Sequence, residues 1–179
     1  MNTLMEIYQP LQQFCDKGTR HRYISTYDKL FAEYKAQPIT VLELGVLGGG
    51  SLLLWRYYFN RAKIIGVDIN PECLRLNNPR YDIYVVQENC SSPEVLEKIP
   101  DTIHICIDDA SHELDNTVAS LKLIYPRIAK NGLYIIEDVP DIELWKSKID
   151  VLGFPYFIVD TRDINPGVHD DVLFVFKKI

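Results

Sequence analysis

The sequence predicts an α/β fold: a Rossmann-like, doubly wound, mostly parallel seven-stranded sheet that ends in an antiparallel β-hairpin and is preceded by an N-terminal helical cap. Three observations carry that prediction. Between residues 39 and 152, five short apolar runs are each followed by a polar turn and a helix-forming segment. A glycine-rich turn after the first run opens directly into a helix, the arrangement of a nucleotide site. The last two apolar runs, residues 156–159 and 172–176, have no helix between them and so read as an antiparallel pair. With 179 residues the chain can bury one sizeable core. One domain is expected over residues 1–179, with a helical cap over 1–36 and the core over 39–179.

In the cap, Leu4, Ile7, Leu11 and Phe14 fall at helical spacing, and so do Tyr23, Tyr27, Leu30 and Tyr34. The polar break between them, residues 16–21, reads either as a plain turn with Gly18 as a helix C-cap or as a lid over a site. The first strand, residues 39–45, runs into Gly45-Val46-Leu47-Gly48-Gly49-Gly50-Ser51. Glycines there let backbone approach a ligand, and a helix N-terminus offers free N–H groups. The helix that follows is apolar nearly all round and is expected to be buried, with Trp55 in the core. The second strand, residues 63–69, carries Asp68 near its end, about twenty residues beyond the turn, where an acid accepts hydrogen bonds from ribose hydroxyls. A helix cap ahead of Pro71 is the alternative for Asp68. After the third strand, residues 81–87, a polar loop with Asn89 is in reach of an adenine ring. Ser92 as a cap before Pro93 would need no ligand.

The fourth and fifth strands deliver acids. Residues 103–107 end in Asp108-Asp109-Ala110-Ser111-His112, and residues 133–136 end in Glu137-Asp138. The helix between them is expected to close at Asn131-Gly132. In an open parallel sheet the C-terminal edge of the strands is where ligands bind. Carboxylates converging there repel one another unless a cation sits among them, and a hard divalent cation fits oxygen donors. Taken singly these residues read as helix caps and turn residues. At the ends of consecutive strands beside a glycine turn, the metal-site reading outweighs coincidence. His169 and Asp170, in the 161–171 connector, read as surface turn residues.

The net charge of -6 argues against a nucleic-acid partner, which needs a basic face. The apolar runs are too short to cross a bilayer, and no secretory signal pattern opens the chain. Cys15, Cys73, Cys90 and Cys106 are scattered without a CxxC, so reduced thiols and a cytoplasmic location are expected. The aromatic-rich N-terminal helices are expected to bury against a second copy as a homo-oligomer.

The turn departs from the dinucleotide GxGxxG pattern, having no glycine two residues after Gly45. With Glu43-Leu44-Gly45, Asp68 and the closing hairpin, the chain resembles the class I S-adenosylmethionine-dependent methyltransferases. A narrower resemblance rests on five stretches: 42–46 with 48–52, Gly66-Val67-Asp68-Ile69, Ile107-Asp108-Asp109-Ala110-Ser111-His112, 132–138, and Lys17-Gly18-Thr19 with His21 and Tyr23. These are similar to the metal-dependent sugar O-methyltransferases of macrolide biosynthesis and to the cephalosporin hydroxylase-like group. The loop at 88–92 lacks the acidic pattern of those relatives. The resemblance implies S-adenosylmethionine at Glu43, Gly45, Gly49, Ser51, Asp68, Asn89 and Asp108. It implies Mg2+ at Asp109, Glu137 and Asp138, and His112 as the base that takes the acceptor's hydroxyl proton, with Asp109 beside it in the catalytic set. The expected reaction is O-methyl transfer to a hydroxyl of a sugar or small natural product. A non-catalytic S-adenosylmethionine-binding protein on the same fold and a nucleotide-dependent oxidoreductase are the alternatives.

Overall fold

The computed structural model describes residues 2–179; Met1, the first residue of the expected cap, lies outside the described residues. The sheet has seven strands in the order β3-β2-β1-β4-β5-β7-β6. They are β1 (Thr40–Leu44), β2 (Lys63–Asp68), β3 (Ile83–Gln87), β4 (Ile103–Asp108), β5 (Ile128–Ile136), β6 (Tyr156–Asp160) and β7 (Val172–Lys177). β1 to β5 are mutually parallel, and β7 enters antiparallel between β5 and β6. The fold predicted from the sequence is the fold observed.

Helices cover both faces. α1 (Leu4–Tyr8), α2 (Ile24–Phe31) and α3 (Gly50–Tyr58) lie on one; α4 (Leu114–Ile124) and α5 (Ile142–Ile149) lie on the other. The central strands are buried on both faces, which is why they read as unbroken apolar runs. Alternation divides their side chains. Val41, Ile105, Ile107, Leu133 and Ile135 join the core under the N-terminal helices. Leu42, Leu44, Cys106, Tyr134 and Ile136 join the core under α4 and α5.

Thr3 and Glu6 form a reciprocal cap that starts α1. Tyr27 and Phe31 of α2 meet Trp55 of α3 edge-on at centroid distances of 5.4 and 5.6 Å, and Trp55 is fully buried. Tyr27 and Phe31 thus pack in the chain's own core.

Four local expectations are corrected. Phe14 is 62% exposed in a turn beyond α1, because the helix tightens at Gln9–Leu11 after Pro10 enters it. Gly18 is no left-handed cap: a Cβ there would meet the Tyr8 ring at 2.6 Å, so close packing explains it. The segments after β2 and β3 are 3-10 turns, Pro71–Leu76 and Pro93–Glu97, rather than α-helices. Asn131-Gly132 does not close α4. Pro126 lacks a backbone N–H and ends that helix, Ile128 pairs at once with Ile103, and residues 129–132 bulge from β5.

At the head of the sheet, Gly45 has φ +81°, and a Cβ there would meet the Asp109 carbonyl at 2.2 Å. Only glycine allows that approach. Gly45→Ala is expected to destabilise the fold by about 2–4 kcal/mol, from the left-handed backbone and the clash together. Chemical denaturation of variant and parent measures this.

Candidate active site

Three adjacent parallel strands end side by side, and register decides which of their acids meet. Glu43 pairs with Ile107, and Ile107 with Ile135, so Glu43, Asp109 and Glu137 all fall on the face covered by α1 to α3. Asp108 takes the opposite face, where the Tyr134 hydroxyl donates to it at 2.6 Å. The neighbouring acids of Asp108-Asp109 thus serve different cores.

Lys17 descends from the turn between α1 and α2 into the three-acid face. It is 1% exposed, and its Nζ lies 2.6 Å from Asp109, 2.7 Å from Glu137 and 3.8 Å from Glu43. Burial alone would lower its pKa, but Asp109, Glu137 and Glu43 override that and hold it well above the ordinary lysine value. The remaining Glu137 oxygen accepts from the Tyr27 hydroxyl. Glu43 also accepts from Ser51 at 2.8 Å, tying the start of α3 to β1. Asp16, Lys17, Thr19 and Arg20 of this turn line the cleft described below. Lys17 fell within the motif read from the sequence but had no role assigned.

Further out, Asp109, His112 and Asp138 each present a donor atom, and the three atoms lie within 4.8 Å of one another. His112 Nε2 is 3.5 Å from Asp109 Oδ1 and 4.0 Å from Asp138 Oδ2. His112 and Asp138 both adopt left-handed backbone, φ +54° and +58°, a region uncommon for non-glycine residues in which Asp and His are enriched. Asp138 accepts from Tyr23 at 2.8 Å, and burial followed by the charge of Asp109 raises its pKa. Buried His21 lies 3.3 Å from Asp171 and 3.4 Å from Asp138. Asp171 in turn accepts from Asn165 Nδ2 at 2.7 Å.

Asp109, His112 and Asp138 line a cleft of about 610 Å3 together with Gly45, Val46, Gly48, Ser51 and Asp68, whereas Gly49 and Glu137 are not in its lining. One Asp68 oxygen accepts from the Val46 and Leu47 amides, and the other accepts from the Asn70 amide. Gly49 is the left-handed N-cap of α3. Asn89 is exposed, outside the cleft lining, and bonds Ser91. Glu43 and Asp108 are likewise not in the lining; both are buried beneath it. His169 and Asp170 are turn residues, as read from the sequence, with His169 exposed and Asp170 half-buried, and both line the cleft. The Tyr23 hydroxyl, which donates to Asp138, also lies 3.2 Å from the Asp170 carbonyl. A second cleft of about 680 Å3, between α1 and the end of α3, has only Glu6 and Lys35 as charged groups and no convergent donor set.

Burial raises Asp108 from 3.8 to about 7 and Glu43 from 4.5 to about 7. A carboxyl with a higher pKa in the folded than in the unfolded chain gives its full stability below the unfolded value. That contribution is lost as pH rises through the folded value. These two groups therefore cost the fold stability as pH climbs from about 4 to about 7. Asp108→Asn is expected to flatten that decline, read as melting temperature against pH. An unchanged slope would mean that Asp108 is ionised at its Tyr134 bond.

No family model matches the chain. It is 35% identical over 139 residues to the 8-demethyl-8-alpha-L-rhamnosyl tetracenomycin-C 2'-O-methyltransferase of Streptomyces olivaceus, covering 72% of this chain and 36% of that one. It is 30% identical over 163 residues to the demethylmacrocin O-methyltransferase of Streptomyces fradiae, covering 80% of this chain and 40% of that one. Among solved structures it superposes on the MycE methyltransferase of the mycinamycin pathway, in complex with Mg, S-adenosylhomocysteine (SAH) and mycinamycin VI. The TM-score is 0.69 at 30% identity, over 85% of this chain and 40% of that one. The chain thus spans well under half the length of these relatives. The chain has the class I S-adenosylmethionine-dependent methyltransferase fold and belongs to the family of these sugar O-methyltransferases.

Proposed function

We infer that this chain is an S-adenosylmethionine-dependent, Mg2+-assisted O-methyltransferase acting on a hydroxyl of a sugar or small natural product. The observation that carries this reading is the shared cleft: the glycine turn and Asp68 at one end, Asp109, His112 and Asp138 at the other. Asp109 and Asp138 fit a hard divalent ion, since both offer carboxylate oxygens to the cleft beside His112. The turn fits the cofactor, since Gly45, Gly48 and Gly50 line the cleft at the start of α3. When bound, the cofactor supplies an electrophilic methyl group, and the ion supplies positive charge that acidifies a hydroxyl.

The chain's own residues do the rest. Gly45, Gly49 and Ser51 hold the cofactor against the start of α3, and Asp68 accepts from the ribose hydroxyls. Asp109 and Asp138 hold the ion, with Glu137 bracing them from below. His112 Nε2 takes the acceptor's hydroxyl proton as the oxygen bonds the methyl carbon and the sulfur–carbon bond breaks. Orientation supplies much of the rate, because attack needs oxygen, carbon and sulfur in line. The acceptor is walled by His169, Asp170 and Pro140, on the open side of the cleft. Residues 1–36 and 39–179 act as one unit, because Lys17, Tyr23 and Tyr27 bond the acids of the core.

No described helix is long and apolar enough to cross a membrane. A cytoplasmic location is part of the proposal, supported by four free cysteines, three of them buried.

Calorimetric titration of S-adenosylmethionine and then Mg2+ into metal-stripped protein tests this reading. Both are expected to bind, and Asp109→Asn is expected to lose Mg2+ while keeping the cofactor. His112→Gln is expected to bind both and lose about a hundredfold or more of methyl transfer to a panel of glycosides. Cofactor binding with no metal response in the parent protein would favour a non-catalytic binder. A thermal shift with NADPH alone would favour an oxidoreductase.

A further inference from the structure

The two edges of the sheet are finished differently. At the β3 edge the chain caps itself. Ile83 exchanges both backbone bonds with Asn78, the Val85 amide donates to Asn77 Oδ1 at 3.1 Å, and Lys98 Nζ donates to the Gln87 carbonyl at 2.9 Å. The β6 edge has no such cover. Thr161 N donates to the Asp171 carbonyl, and Asp160 pairs with Val172 in register. Alternation from that bond turns the N–H and C=O groups of Phe157 and Val159 toward β7, and those of Tyr156, Ile158 and Asp160 outward. Among the described residues, these outward backbone groups have no hydrogen-bond partner. A bare edge is a template for pairing with another chain, and natural edge strands are blunted with lysine, proline or a bulge. Tyr156-Phe157-Ile158-Val159 carries none of these, its register with β7 is unbroken, and Phe157 is 46% exposed.

We propose that β6 is an interaction surface for a second copy of this chain, the two β6 strands pairing antiparallel about a two-fold axis at Ile158. The strand is complementary to itself in that register. Its outward groups meet as hydrogen-bonded pairs: Ile158 with Ile158 of the second copy, and Tyr156 with Asp160 of the second copy, and the reverse. Phe157 and Val159 share the face of Val175 and Leu173. Each falls opposite the other's counterpart, so a part-exposed apolar side chain gains an apolar neighbour on both sides of the axis. Charge agrees with the pairing. Asp160, the charged residue of the strand, is held by Arg162 Nε at 2.8 Å and faces a tyrosine, so no like charges meet. Pro155 bounds the register at one end of the strand and the Asp160–Arg162 pair bounds it at the other. A two-fold contact uses the open edge of both copies and leaves the self-capped β3 edges outermost, so assembly closes at two. Five residues a side make a small interface, with a dissociation constant on the order of 10–100 µM. The pairing is independent of cofactor, metal and acceptor.

Sedimentation velocity of the full chain between about 5 and about 500 µM is expected to show monomer passing into dimer and nothing larger. Hydrogen exchange resolved to single amides locates the contact. Between the same two concentrations, about 5 and about 500 µM, the amides of Tyr156, Ile158 and Asp160 are expected to slow at least about threefold. Those of Phe157 and Val159, already bonded to β7, serve as the internal control. Phe157→Lys sets a charge against Val159 of the second copy and is expected to weaken association at least about tenfold. Its side chain is half-exposed, so the variant is expected to melt within about 5 °C of the parent. A monomer at every concentration, or an assembly larger than two, would overturn the proposal. So would a dimer in which the Tyr156, Ile158 and Asp160 amides exchange as in the monomer; slowing confined to α1 and α2 would move the contact to the N-terminal helices. A folded Phe157→Lys that associates as tightly as the parent would overturn it too. Should that variant not fold, the exchange pattern of the parent protein decides.

Discussion

Electrostatic repulsion at the head of the sheet is the constraint on which the rest depends. Period-two alternation in β1, β4 and β5 brings Glu43, Asp109 and Glu137 to one face within a few ångströms of a single ammonium. Carboxylates this deep in the protein are costly unless paired and hydrogen-bonded. The N-terminal segment meets that demand with one Lys and two Tyr hydroxyls. The cap is thus more than a cover for apolar surface. α2 is locked to α3 through Tyr27, Phe31 and Trp55, and that lock delivers the Tyr27 hydroxyl to Glu137. The aromatic core and the polar centre are two ends of one side chain.

Much of this was legible in the sequence. The five apolar runs, the glycine turn and the helix-free final pair predicted the strands, their order of appearance and the antiparallel close. The runs were legible because strands buried on both faces need apolar side chains throughout. The acids at the ends of the fourth and fifth strands stood out against those runs. Asp109, His112 and Asp138 do come together. Asp108 and Asp109 could also have been told apart, since alternation from Ile105 and Ile107 carries Asp109, not Asp108, to the face of Glu43.

Other parts were hidden for physical reasons. Lys17 lies 92 residues from Asp109, and no local period links them; a lysine in a polar turn looks solvated. Asn131-Gly132 has the composition of a helix stop, yet a stronger stop, Pro126, had already acted, and left-handed Asn131 instead sits within a bulge of β5. Lys17 was hidden by a tertiary partner, Asn131-Gly132 by a stronger stop earlier in the chain.

The position of β7 has a consequence for the order of assembly. Among the described residues β6 pairs with β7 alone, and β7 lies between β6 and β5. As the chain is synthesised, β6 appears first and has nothing to pair with, because the strand that joins it to the sheet comes later. The first five strands can assemble while synthesis continues, since each joins a neighbour already made or soon to be made. The Asp171 carboxylate beside His21 and the Asp170 carbonyl near the Tyr23 hydroxyl arrive with the last strand. The cleft wall and the sheet edge are therefore completed in one closing step, and a nascent chain halted before residue 172 would hold a nucleotide-type turn without a finished site.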